Sequence, residues 1–188
     1  MKEEVKNDIL RVLKESIIAI KEGDMIKLKD LSNSVIENSI IYQDENAIII
    51  TILIYSLSKI FERSKLTQYK DWNLFKKTVD NSLKKAAYSL ENNDLLNYEK
   101  SIKEILSVIN NLESKLKDYI RDIFYRAHIN KASRLYEHGL SIGRTAELLG
   151  ITKWDLMDYI GRTGIPDVKE NITLNIEKRL RIARSLFR

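Results

Sequence analysis

At 188 residues, 44% hydrophobic and 31% charged with no cysteine, the chain excludes a disulfide framework and every thiolate metal site. Two histidines, His128 and His138, are too few for a histidine-rich metal centre, and one proline with six glycines supplies little turn chemistry for a many-stranded sheet. An all-α, cytoplasmic protein is predicted: the start MKEEVKNDIL is charged from its second residue, unlike a secretory segment, and the longest apolar stretch, Ala47 to Leu57, is 11 residues against the roughly 20 that cross a bilayer.

The net charge of +5 is unevenly placed. Residues 1–130 carry 21 Lys and Arg against 20 Asp and Glu, a net of +1, whereas residues 131–188 carry 11 against 7, a net of +4. Only Arg11 and Arg63 of the 11 arginines precede residue 121, and five of the six glycines lie at or beyond Gly139. This composition break divides the chain into a helical bundle over 1–128, for self-association or partner binding, and a second unit over 129–188.

Val5, Ile9, Val12, Leu13, Ile17 and Ile20 form the apolar stripe of a first helix that ends at Gly23. Asp24 caps a second, with Leu28, Leu31, Val35 and Ile36 as its apolar positions. A third, from about Asp44 through IIITILIYSLSKIFER, is apolar nearly all round and is expected to sit centrally. The fourth covers roughly Trp72 to Leu90, with Leu74, Phe75, Val79, Leu83, Ala86, Ala87 and Leu90 on its stripe. Gly23, Asp24, Met25, Ile26, Leu28, Val35 and Ile36 align with Asn93, Asp94, Leu95, Leu96, Tyr98, Ile105 and Leu106 at a constant offset of 70, the pattern of a repeated helical hairpin. Any two tightly joined antiparallel helices would also look like this.

From Ile102 the positions Ile105, Ile109, Leu112, Leu116, Tyr119 and Ile123 alternate steps of three and four, the spacing of a heptad seam. Two accounts fit it: a dimer helix, or one long helix closing the bundle against its own chain.

Residues 139–166, GLSIGRTAELLGITKWDLMDYIGRTGIP, carry the most specific pattern. Gly139 ends one helix, Ser141 caps a short one through Leu149, Gly150 breaks the chain, and Thr152 with Asp155 has the spacing of a capping box opening another. A short helix, a glycine turn and a second helix make a helix-turn-helix, with Ala146 permitting close crossing and Leu149, Ile151, Leu156 and Tyr159 filling the interior.

Over residues 131–166 the sequence resembles the UPF0175 group of small prokaryotic helix-turn-helix proteins, many regarded as antitoxin-like. Gly139, Ser141, Gly143, Ala146, Glu147, Gly150, Trp154, Gly164 and Ile165 match the group's pattern, and Thr145 departs from it where a second alanine is usual. The resemblance implies the fold of this segment and nucleic-acid binding; it leaves the N-terminal body unrecognised.

On such a unit the second helix would present Thr152, Lys153, Trp154, Met157, Asp158 and Arg162 to the major groove, with Lys153 and Arg162 on phosphates and Thr152 on a base or phosphate. Asp158 opposes this, and residues 131–176 carry six basic and six acidic side chains. The surplus charge sits in the last 12 residues, where Lys178, Arg179, Arg181, Arg184 and Arg188 face a single Glu177 while Leu180, Ala183 and Phe187 keep an apolar helical stripe. These basic residues are candidate contacts to the phosphates of DNA, RNA or a ribosomal surface; a solvated surface helix is the plainer account.

The reading is a non-enzymatic nucleic-acid-binding regulator, DNA-binding and antitoxin- or transcription-factor-like, homodimeric, with no cofactor, metal or membrane partner. The second reading is an interaction protein docking on a toxin or on the ribosome and its RNA. The third is a ribonuclease, because Arg121 and His128 fit the R-x(4–6)-H spacing of HEPN ribonucleases and would share one helix face. No glycine-rich phosphate loop, H-E-x-x-H pair or nucleophile elbow occurs.

Overall fold

A computed structural model describes residues 1–42, 44–63, 66, 68–112 and 114–163, and among them every regular element is helical. The order is α1 (Glu3–Glu22), α2 (Met25–Tyr42), α3 (Glu45–Phe61), α4 (Trp72–Glu91), α5 (Leu95–Val108), a 3-10 turn (Ile109–Asn111), α6 (Ser114–Glu137), α7 (Ile142–Leu149) and α8 (Lys153–Thr163).

In α1, Val5, Ile9, Val12, Leu13 and Ile20 are buried and Ile17 packs partly buried beside them, so the apolar stripe of the sequence is the inner face of the helix. Gly23 ends it at φ 73, where a side chain would be strained. Asp24 accepts from the Lys27 amide at 2.9 Å and opens α2, which buries Leu28, Leu31 and Val35; Ile36 lies outside the described side chains. In α3, Asp44 accepts from the amides of Asn46 and Ala47, and eleven of its 17 residues are buried, which makes it the central helix. Leu74 departs from the expected stripe of α4: it is 52% exposed, because it lies about 100° around the helix from its buried neighbour Phe75.

The hairpin echo extends well beyond its sequence signature. At the same offset of 70, Val5, Ile9, Val12, Leu13, Ser16, Ala19 and Ile20 of α1 correspond to Phe75, Val79, Ser82, Leu83, Ala86, Ser89 and Leu90 of α4, and all fourteen are buried. Both helices have 20 residues. Asn93 takes φ 59 where Gly23 takes φ 73, and Asp94 accepts from the Asn97 amide at 3.0 Å as Asp24 does from Lys27. Ile50, Leu53 and Leu57 of α3 fall at that offset on buried Ile120, Ile123 and Ala127 of α6, but the other buried residues of α3 do not fall on buried positions, so the correspondence ends with the hairpin. The repeat is therefore the helical pair α1–α2 and α4–α5, and its equivalent first helices, α1 and α4, pack on each other.

The heptad spacing from Ile102 to Ile123 is not one continuous helix. The 3-10 turn interrupts it, and Leu112 adopts extended backbone at φ −78 and ψ 159. Ile102, Ile105, Ile109, Leu112, Leu116 and Ile123 are buried in the chain's own main core, with Tyr119 packed partly buried against it. The seam is thus used within the chain, because steps of three and four also describe an ordinary buried helical stripe.

The expected boundary at residue 128 falls inside the unbroken α6. A second core joins Ala127, Ala132 and Leu135 of α6 with Leu149 of α7 and Leu156 and Ile160 of α8, and it draws in Ile48 and Ile52 of α3. The C-terminal helices are consequently docked on the bundle rather than tethered to it. Among the described residues no helix is long and apolar enough to cross a membrane.

Candidate nucleic-acid interface

The local rules read from residues 139–163 hold in detail. Gly139 and Gly150 adopt φ 98 and φ 63, Ser141 accepts from the Arg144 amide at 3.2 Å, and the Thr152 hydroxyl accepts from the Asp155 amide at 3.1 Å while donating to its carboxylate at 2.7 Å. Leu156 and Ile160 seat α8 on the second core, with Ala146 and Leu149 of α7 buried at the same joint. Asp155 and Tyr159 are half-buried, Tyr159 against Asn130 of α6, and the rest of α8 faces outward.

That outer face carries Lys153, Trp154, Met157, Asp158 and Arg162, all exposed, with Trp154 at 79% and Met157 at 48%. The Lys153 stem lies near Gly143 of α7, where an added Cβ would sit 3.5 Å from its Cε. Asp158, which had no role in the sequence, accepts from Arg162 Nε at 2.9 Å and orients that guanidinium. Thr152 is less available than expected, since its hydroxyl proton is engaged by Asp155. The basic residues Lys178, Arg179, Arg181, Arg184 and Arg188 lie outside the described residues.

Beside α8, a groove of about 610 Å³ opens between α3, α6 and α8. Lys59, Arg63, Arg126 and Arg162 line it with Asp122, Asp155 and Asp158. Arg126 repeats the arrangement of Arg162, donating from Nε to Asp122 at 2.9 Å one turn earlier on α6. Lys59 is bonded to Glu62 at 2.9 Å, and Arg63 donates to the Tyr119 hydroxyl with its guanidinium 5.3 Å from that ring's centre. Lys59, Arg63 and Arg126 escaped the sequence reading because they lie in the nearly neutral body. The shared Asp-x-x-x-Arg spacing at 122/126 and 158/162 could have linked Arg126 to Arg162; no local signal marks Lys59 or Arg63.

Behind the groove, Lys131 is 1% exposed and has no carboxylate partner among the described residues; its ammonium donates to Asn33 Oδ1 at 2.8 Å and lies 4.2 Å from the centre of the Tyr55 ring. Burial first, then the nearby positive charges of Arg134 and Lys29, push it down to about 7.

Arg121 is exposed and His128 half-buried on α6. His128 Nδ1 lies 3.0 Å from the Phe124 carbonyl, and the small cavity the ring lines is otherwise walled by Ile49, Ile52, Leu53, Ile102, Leu106 and Phe124. An RNA phosphate would meet no cation in those walls. Among the described residues no group of three or more His, Asp or Glu side chains could hold a metal ion.

Together these features define an all-helical protein in which two short helices, joined by a glycine turn and docked on a larger helical body, display an exposed aromatic and charged face. The chain is 37% identical over 62 residues to a UPF0175 protein of Aeropyrum pernix, a match covering 29% of this chain and 67% of that protein. The chain belongs to the UPF0175 family. No family model and no solved structure matches it.

Proposed function

We propose that this chain is a non-enzymatic nucleic-acid-binding regulator in which α7 and α8 act as a helix-turn-helix and α8 enters the major groove of DNA. The observation that carries the reading is the division of α8 into two faces. Leu156 and Ile160 hold the helix from behind, while Lys153, Trp154, Met157 and Arg162 stand exposed in front. A recognition helix needs this division, because side chains reach base edges only when the helix is fixed from its other side. The antitoxin-like character implied by the family resemblance agrees with it, and the basic residues 178–188 would add phosphate contacts. Gel-shift titration of the full chain against duplex DNA and structured RNA over a salt series tests the reading. Salt-sensitive binding to the duplex is expected, and no duplex binding at low salt overturns it.

A second reading, docking on a protein partner such as a toxin, is favoured by Trp154 and Met157, two large apolar side chains exposed one turn apart. Exposed aromatics of this kind are frequent anchors of protein interfaces. Partner binding that is insensitive to salt, by a chain that binds no duplex, would select it over DNA binding.

A further inference from the structure

Resting on the DNA-binding reading above, we propose that the groove between α3, α6 and α8 seats the sugar-phosphate backbone of duplex DNA, with Arg63, Arg126 and Arg162 as its phosphate contacts. The helical body is then part of the interface and not only a platform for α8.

Two arginines on different helices are prepared in the same way. Arg126 of α6 and Arg162 of α8 are both highly exposed, and each is held through Nε at 2.9 Å by the aspartate one turn before it. In both, the terminal amino groups make no hydrogen bond among the described residues. A guanidinium anchored at Nε keeps its outer fork for a second acceptor, and that planar fork matches two oxygens of a phosphate. Arg63 supplies the third cation; it donates to the neutral Tyr119 hydroxyl, while the neighbouring Glu62 is bonded to Lys59. The exposed carboxylates of Asp122 and Asp158 orient their arginines while screening them only partly.

A duplex is favoured over a single strand by the state of the tyrosines lining the groove. Lys59 and Lys131 lie over the Tyr55 ring at 5.9 and 4.2 Å, and the Tyr159 hydroxyl accepts from Asn130 at 3.1 Å. Tyr159 is half-buried, which leaves Tyr125 as the exposed tyrosine ring lining the groove, fewer than the succession of stacking platforms a single strand uses. With α8 in a major groove, the adjoining α6 faces the flanking backbone, where contacts position the protein without reading sequence.

The test is fluorescence anisotropy of the full chain with a mixed-sequence DNA duplex over a salt series, comparing the native chain with Arg63→Gln/Arg126→Gln. The double variant is expected to bind about tenfold more weakly and to lower the slope of log affinity against log salt by about 2. Arg126→Gln alone, at a fully surface position, should lower the slope by about 1 and keeps the test valid if the double variant unfolds. Lys85→Gln/Lys103→Gln, in the separate groove between α4 and α5, should change neither quantity. Native-like affinity and slope in the arginine variants overturn this inference while leaving DNA binding by α8 intact. An equal loss in the lysine control also overturns it, since net charge alone would then account for the effect. A native chain that binds no duplex overturns the underlying reading, and displacement of the duplex by a smaller amount of hairpin RNA overturns the choice of duplex DNA.

Discussion

The ammonium of Lys131 lies 4.2 Å from the centre of the Tyr55 ring, so a lysine of α6 is packed against α3 where the two cores meet. Its lowered proton affinity has a definite consequence for stability. In the folded state the amine loses its proton near pH 7, whereas the unfolded chain keeps it to about 10.4. Between those values the unfolded state binds more protons, so stability rises with pH across that window and is flat below it. One pKa unit corresponds to about 1.4 kcal/mol, and the rise should amount to a few kcal/mol. Lys131→Met should remove this slope and raise the melting temperature at pH 6, because an apolar side chain of similar volume carries no buried charge and exposed Asn33 can turn to water. Thermal unfolding of both chains from pH 6 to 10 checks it.

Thr145, the departure from the family pattern, is fully buried, and its hydroxyl makes no hydrogen bond among the described residues. Replacing it with the isosteric Thr145→Val removes a polar group that gains nothing from burial. A gain of about 1 kcal/mol in urea unfolding is expected. A loss would show that the hydroxyl has a partner.

Asp24 and Asp94 cap the equivalent second helices of the two hairpins at nearly the same distance from the third amide beyond them. Asp24→Ala and Asp94→Ala should both lower stability through the lost cap, with the larger loss at Asp94. Asp94 also binds the Asn97 side chain, and its carboxyl is held below the usual carboxylate range first by the Asn97 amide and then by that side chain. Chemical denaturation of the two variants at pH 7 compares them directly.

Trp154 and Leu156 separate binding from folding, because one points out and the other in. Trp154→Ala should change stability by no more than about 0.5 kcal/mol, whereas Leu156→Ala should cost about 2–4 kcal/mol by opening a cavity in the second core. Binding assays run on folded Trp154→Ala are expected to show at least a tenfold loss, whichever macromolecule α8 meets.

Removal of residues 177–188 takes away five basic and one acidic side chain. If these residues contact phosphates, the salt dependence of duplex binding should fall by up to about 4 in slope. An unchanged slope would assign the charge run to solubility alone.

Local chemistry was legible in the sequence wherever one turn of chain determines it. Gly23, Gly139 and Gly150 end their helices in left-handed backbone, and Asp24, Asp94, Ser141 and Thr152 cap as their spacing implied. Those contacts join residues at most a few positions apart, so no distant segment is needed to make them. The apolar periodicities likewise marked the inner faces of α1 and α2, and the residues of the α7–α8 pair carried the family resemblance. Periodicity cannot say what covers a stripe, however, and for Ile102 to Ile123 only the folded chain showed that its own core does so. Only the tertiary structure brought Lys59 and Arg63 of the body beside Arg126 and Arg162, and only it buried Lys131 between α2 and α3. Charge counted along the chain made the body look neutral and inert. Charge in space depends on which helix faces come together, and packing of the cores, not spacing along the chain, decides that.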